Sequence, residues 1–146
     1  MLLSCTCLLQ IPICLQGSLS TEETRFVTDT VEQLGGIIVS DIEKATCFVA
    51  KEVRISTKFL CAIGKHIPIV SMDWVRESKA QGRLLKGTDY LLKDKEQEEK
   101  LNICIERVVN MEVPFLQKWV ICCLPGVKPG PSDVAKLTRC CGGIFV

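Results

Sequence analysis

Residues 13–39, ICLQGSLSTEETRFVTDTVEQLGGIIV, decide the fold because residues 120–146, VICCLPGVKPGPSDVAKLTRCCGGIFV, repeat their order. In each, an apolar run (Ile13-Cys14-Leu15; Val120 to Leu124) meets a glycine turn (Gln16-Gly17; Pro125-Gly126). A helix-like stretch follows, and a Gly-Gly pair then opens a second apolar run, Ile37-Ile38-Val39 in one copy and Ile144-Phe145-Val146 in the other. A repeat spaced by roughly a hundred residues signals a duplicated unit and tandem domains, not a solenoid. The first copy continues through further strands and helices to about residue 92, whereas the second stops at Val146. The expected layout is a leader (1–10), a whole domain (11–92), a helical linker (93–115) and the N-terminal part of a second, incomplete repeat (116–146).

Outward from this stretch, the punctuation is consistent. Ser20 with Glu23 fits a capping box, and Phe26, Val27, Val31 and Leu34 then share one helical face that Gly35-Gly36 ends. Ile37 to Val39 and Cys47 to Ala50 are short β-rich runs. Ser56 caps a second helix with Phe59, Leu60, Ala62 and Ile63 facing inward and Gly64 as its stop. Ile67 to Val70 is a further strand, and Ser71 and Asp73 open a third helix carrying Trp74, Val75 and Ser78 and ending near Gly82. The order β-α-β-β-α-β-α, with continuous apolar strands, predicts an α/β fold: a four-stranded parallel sheet with helices on both faces. Lys93 to Lys100 reads as a solvated helix face, and Leu101, Ile105 and Val108 give that same helix an apolar stripe for docking.

Composition narrows the function classes. The chain has 146 residues, of which 47% are hydrophobic, and a net charge of +1, so no overall basic field recruits nucleic acid. Ten cysteines invite a zinc or disulfide reading. No C-x-x-C pair exists, His66 is the only histidine, and adjacent pairs stand at Cys122-Cys123 and Cys140-Cys141, so zinc-ligand spacing is absent and free intracellular thiols are expected. Met1 to Leu15 is apolar like a signal peptide. It has no Lys or Arg before Arg25, lacks a clear cleavage site and is interrupted by Pro12, which favours a leader running into a strand. No run reaches a membrane span.

There is no G-x-G-x-x-G, P-loop, metal-ligand cluster or G-x-S-x-G, and His66 has no nucleophile partner, so catalysis finds no support. Asp89 and Asp94 read as loop and linker residues able to serve as caps.

Several of these segments together resemble a BRCT domain: Gly35-Gly36 after the first helix, Ala45-Thr46-Cys47-Phe48-Val49 as a strand, Thr57-Lys58-Phe59-Leu60 opening the second helix, and Ile67-Pro68-Ile69-Val70-Ser71-Met72-Asp73-Trp74. Pro125-Gly126-Val127 and Cys140 to Val146 resemble the start of a second one. The resemblance implies a three-layer fold with Trp74 as scaffold, packing the third helix on the core. It also implies a non-enzymatic, cofactor-free adaptor of the nuclear DNA-damage response whose partner is a phosphorylated protein.

Tandem BRCT pairs hold phosphoserine through a hydroxyl residue, the following glycine's N–H and a lysine at the second helix start. Carried over, the glycine is Gly17 and the lysine Lys58. The hydroxyl position holds Gln16, with Ser18 just after the glycine as a substitute. The arginine expected three residues before the lysine is Ile55, with Arg54 adjacent; Arg54 and Thr57 are therefore weaker peptide-binding candidates. The physics stands apart from the family: a residue without a side chain lets backbone approach phosphate, and a helix N-terminus supplies free amides and a favourable dipole. Exposed lysines are also common without any ligand. The incomplete second repeat, a fragment or shortened product on this reading, would lower affinity and specificity. Two alternatives stay open: a phosphate-independent interaction or dimerisation module using the exposed partial repeat, and DNA-end binding, which the near-zero net charge disfavours. No membrane partner is expected, and the oligomeric state is left open.

Overall fold

The structure, a computed structural model, describes residues 10–146; nine residues of the expected leader, 1–9, lie outside the described residues. Four strands, β1 (Ile11–Leu15), β2 (Gly36–Ile38), β3 (Cys47–Val49) and β4 (Ile69–Val70), form one sheet in the order β2-β1-β3-β4, with every pairing parallel. The register places Ile13 beside Ile38 and Cys47, and Cys14 beside Phe48, which in turn faces Ile69.

Because successive strand residues point to opposite faces, β1 feeds two cores. Ile13 and Leu15 join Val49, Val70, Val27, Val31, Trp74 and Val75 under α1 (Thr21–Gln33) and α3 (Met72–Gln81). Cys14 joins Phe48, Ile69, Phe59, Cys61 and Ala62 under α2 (Thr57–Gly64). Each fully buried Val, Ile or Phe stabilises the fold by about 1.5–3 kcal/mol relative to exposure. Trp74 is the scaffold residue expected of it: its ring is buried and its indole N–H donates to the Leu85 carbonyl at 2.8 Å.

The helix starts match the sequence signals. The Glu23 N–H donates to Ser20 Oγ and the Ser20 N–H donates back to the Glu23 carboxylate at 2.7 Å, a complete capping box. Gly82 ends α3 in the left-handed region, at φ 71°.

Two expectations change. Gly64 is not the stop of α2: the helix includes it, and His66 takes the left-handed position at φ 56°. Gly64 is instead a place of close approach, since a Cβ there would sit 2.5 Å from Cys141 Sγ. The linker is not one helix either. It is α4 (Lys95–Leu101) and α5 (Ile105–Val109), broken by Asn102 at φ 53°. The Glu98 carboxylate accepts from the N–H groups of Asp94 and Ile105, so the break is hydrogen-bonded on both sides.

The repeat reappears as β5 (Val120–Ile121), α6 (Pro131–Cys140) and β6 (Ile144–Phe145), with β5 and β6 pairing in parallel. This second sheet has two strands and is attached through α6, which packs on α2. Cys140 enters the same core as Phe59 and Cys61, and Arg139 forms a two-pronged ion pair with Glu43, its closer contact at 2.8 Å. No helix among the described residues is long and apolar enough to cross a membrane.

Candidate functional site

In a parallel α/β sheet the helices that follow strands begin at the strands' carboxyl ends, and ligands bind where the connections diverge. Here β1 connects through α1 to β2 on one side, while β3 connects through α2 to β4 on the other. The divergence therefore lies between β1 and β3, outside Leu15 and Val49, which are register partners, and that is where this topology puts a crevice. The loop Gln16–Leu19, the loop 50–56 and the N-termini of α1 and α2 surround it.

Gln16 holds this crevice together. Its N–H donates to the Val49 carbonyl at 2.9 Å, extending the ladder by one step. Its side chain is nearly buried: Nε2 donates to the Glu52 carbonyl and Oε1 accepts from the Lys51 N–H, both at 3.0 Å. The Gln16 amide is thus engaged by the neighbouring loop. The same loop is tied down further on, where the Val53 N–H donates to Asp94, the residue that also caps α4. Lys51 pairs with Glu23 across the crevice mouth at 3.3 Å. The Ser20 N–H first, and Lys51 in addition, hold the Glu23 carboxyl below its ordinary range.

Gly17 and Ser18 have the opposite character. Gly17 is exposed, and a Cβ built on it meets nothing within 4 Å, so the protein's own packing does not demand a glycine there. The Ser18 hydroxyl is buried with no hydrogen-bond partner among the described residues. An unmatched buried hydroxyl disfavours the fold by about 1–3 kcal/mol, so the turn keeps a polar group at some expense to stability.

Lys58 stands in the first turn of α2. Ser56 caps that helix by accepting from the Phe59 N–H at 3.1 Å, while the amides of Thr57 and Lys58 have no intrahelical acceptor. Lys58 is half-buried and makes no ion pair or hydrogen bond with any described residue. Burial pushes the Cys14 thiol up, and Lys58 is the leading influence pulling it back down. Arg54 is exposed and 3.9 Å from Glu52 in its own loop, Ile55 is exposed, and Thr57 is half-buried at the helix start. Gly17 and Ser18 follow β1 and Thr57 and Lys58 open α2 after β3, so the topology sets both segments at the same end of the sheet, while Gln16 is turned inward onto the loop at 51–52 and Arg54 is exposed.

Sequence reasoning missed Lys51 and Glu52 in the loop after β3, and of Asp94 it read the cap, which the structure shows, but not the contact to the Val53 N–H. Their partners lie 28 to 41 residues away, so no local signal marks them. It also missed Lys65, whose ammonium collects the carbonyls of Ile42, Glu43 and Ala45 at 3.0, 2.7 and 2.7 Å and ties the end of α2 to the loop before β3.

The fold defines an open parallel α/β module whose strand order diverges between β1 and β3. The chain belongs to the BRCA1 C Terminus (BRCT) domain family, whose sequence model matches residues 4–79. It is 36% identical over 115 residues to Mediator of DNA damage checkpoint protein 1 of Mus musculus, covering 77% of this chain and 7% of that protein. The S. pombe Brc1 BRCT5-BRCT6 domains share the fold across 94% of this chain and 66% of theirs, at TM-score 0.68 and 22% identity. So does the structure of Rtt107p in complex with a phosphorylated histone, across 93% of this chain and 60% of that one, at TM-score 0.54 and 12% identity. The chain thus spans only a small part of the mouse protein and about two thirds or less of the two solved chains. BRCT modules of this kind occur in DNA-damage checkpoint proteins and act as non-enzymatic interaction domains.

Proposed function

We propose that the chain is a phosphoserine-peptide-binding adaptor module of the nuclear DNA-damage response, with the phosphate seated at Gly17, Ser18 and Lys58. The observations that carry this reading are an unmatched buried hydroxyl and an open glycine directly after β1 and, at the start of the helix that follows the neighbouring β3, an ammonium without a counter-ion among the described residues. A phosphate dianion satisfies all three. It accepts from the Ser18 hydroxyl and the Gly17 N–H, and it accepts a charge-assisted hydrogen bond from Lys58 at the positive end of α2. Gln16 serves this reading as the residue that holds the loop, Thr57 offers its amide, and Arg54 stands where the peptide would leave the pocket. The phosphorylated histone in the Rtt107p complex and the checkpoint role of the mouse relative support the class of partner and the compartment. The proposed boundaries are a complete BRCT domain over 11–92, a linker over 93–115 and a partial second repeat from 116.

Isothermal titration of a phosphoserine peptide and its unphosphorylated twin tests the reading. Binding of the phosphorylated peptide alone supports it; equal binding of both, or of neither, defeats it. A phosphate-independent interaction is the second reading, and a specific observation favours it: Trp119, Val120, Leu124, Ile144 and Val146 on and around the second sheet are more than half exposed. Concentration-dependent association with no phosphate response is its signature.

A further inference from the structure

The two faces of the second sheet have different surroundings. From β5 onward exposure alternates residue by residue: Ile121 and Cys123 are half-buried, whereas Val120, Cys122 and Leu124 are exposed. β6 follows the same rhythm, with Phe145 half-buried between the exposed Ile144 and Val146. The register pairs Val120 with Ile144 and Ile121 with Phe145, so each pair shares a face. The half-buried face is the one that α6 packs against. The outward face carries Val120, Cys122, Leu124, Ile144 and Val146 and no charged or amide side chain. A sheet that meets water on one side normally places polar residues there. Here the outward positions are as apolar as the inward ones. In the four-stranded sheet the matching residue of β1, Cys14, is fully buried in the core under α2. The patch is also free of charge, since no residue among 119–127 or 140–146 is ionisable as an acid or a cationic base. A partner of either charge finds nothing to pair with, and a second copy meets no like charge to repel it.

We propose that this face is a self-association surface, on which a second copy of the chain docks its own Val120, Cys122, Ile144 and Val146, sheet against sheet about a two-fold axis. A two-fold contact brings the same patch together from both copies, which a patch without charge allows. The area is sufficient for such a dimer. With Trp119, which flanks the face, the exposed apolar side chains offer on the order of 500 Å² per copy, so a dimer buries roughly 1,000 Å², the lower limit of a specific interface. Association at that limit is weak and depends on concentration. The surface uses none of Gly17, Ser18, Thr57 or Lys58, so it is independent of the phosphate reading. A dimer carries two copies of the first domain, which makes it bivalent toward whatever that domain binds.

Sedimentation velocity of the full chain under reducing conditions, from low micromolar to several hundred micromolar, tests this. The expected result is a mass that rises to twice that of the monomer and no further. Trp119 emission should shift to the blue in step, while the buried Trp74 contributes no change. Val120→Lys and Val146→Lys, at exposed positions on the two strands, should each weaken the dimer at least about tenfold by placing a charge in the apolar contact. Ile37→Lys, at an exposed apolar position on β2 of the other sheet, should leave association unchanged. A chain that stays monomeric throughout overturns the proposal and leaves the face to another occupant. So does growth beyond the dimer, or a dimer that both second-sheet variants leave intact. Mass is measured on the unmutated chain and the variants sit on different strands, so one variant that fails to fold does not remove the test. No peptide is present, so a failure here and a failure of the phosphate reading are separate results.

Discussion

Ile13-Cys14-Leu15 in β1 and Ile121-Cys122-Cys123 in and after β5 are near-equivalent as sequence, yet their surroundings differ. Ile13 and Cys14 are wholly inaccessible, whereas Val120 is 58% exposed and Cys122 is exposed. The difference is in the neighbours. β1 has β2 on one edge, β3 on the other, and helices over both faces; β5 has β6 alone. A strand that reads as a sheet centre is buried only when the rest of the sheet is present to bury it. The helices differ in parallel: α1 opens with a capping box, whereas α6 opens at Gly130 with no side-chain cap and has Cys140 and Thr138 as its buried residues. The four-stranded sheet is held by its own core. The two-stranded sheet is held largely through α6 on α2.

That contrast can be broken most forcefully at two tryptophans. Trp74→Ala should destabilise the chain by about 3–5 kcal/mol in urea unfolding, while Trp119→Ala, at a residue 62% exposed, should stay within about 0.5 kcal/mol. Equal effects would mean that the second sheet has a core of its own.

Lys58→Ala should weaken a phosphoserine peptide by about 1.5–3 kcal/mol, roughly 10- to 150-fold, on titration. Its unfolding midpoint should move little, because the side chain has no partner to lose among the described residues.

Gly64→Ala should cost about 1–3 kcal/mol through overpacking of α2 against α6. Limited proteolysis should then cut beyond residue 110 first, while the four-stranded sheet survives. Cleavage that is uniform along the chain would show that the two regions do not separate.

The Arg139–Glu43 pair is exposed, so a double-mutant cycle should return only a small coupling, well below the Gly64→Ala effect. The smallest effect is expected at Glu23. Its folded carboxyl sits below the ordinary value, so its contribution is present above the unfolded pKa and fades as pH falls through the folded one. Glu23→Gln should therefore lower stability slightly at neutral pH, flatten the acid side of the profile, and match the unmutated chain once pH falls below the folded value.

What could be read in advance was whatever local chemistry encodes. Ser20 and Glu23 are three residues apart and announce a helix start; Gly82 announces an end; the alternation of β1 between two cores follows from strand geometry. The family resemblance added Gly17 and Lys58, and the fold sets the loop after β1 and the start of α2 at the same end of the sheet. What stayed hidden depends on partners distant in sequence. Gln16 reads as a donor beside a glycine until the loop at 51–52 occupies its amide. Gly64 reads as a helix stop until α6 comes to rest on it, and Asn102 reads as part of a continuous helix until Glu98 bridges the break.

The proposed function stands on one arrangement, in which Gly17, Ser18 and the start of α2 form a single dianion-binding crevice. Amide chemical-shift mapping during titration with a phosphoserine peptide tests it most directly. Gly17, Ser18, Thr57 and Lys58 should move together and saturably, and the unphosphorylated twin should leave them in place. Shifts confined to the second sheet, or identical shifts with both peptides, would contradict that arrangement.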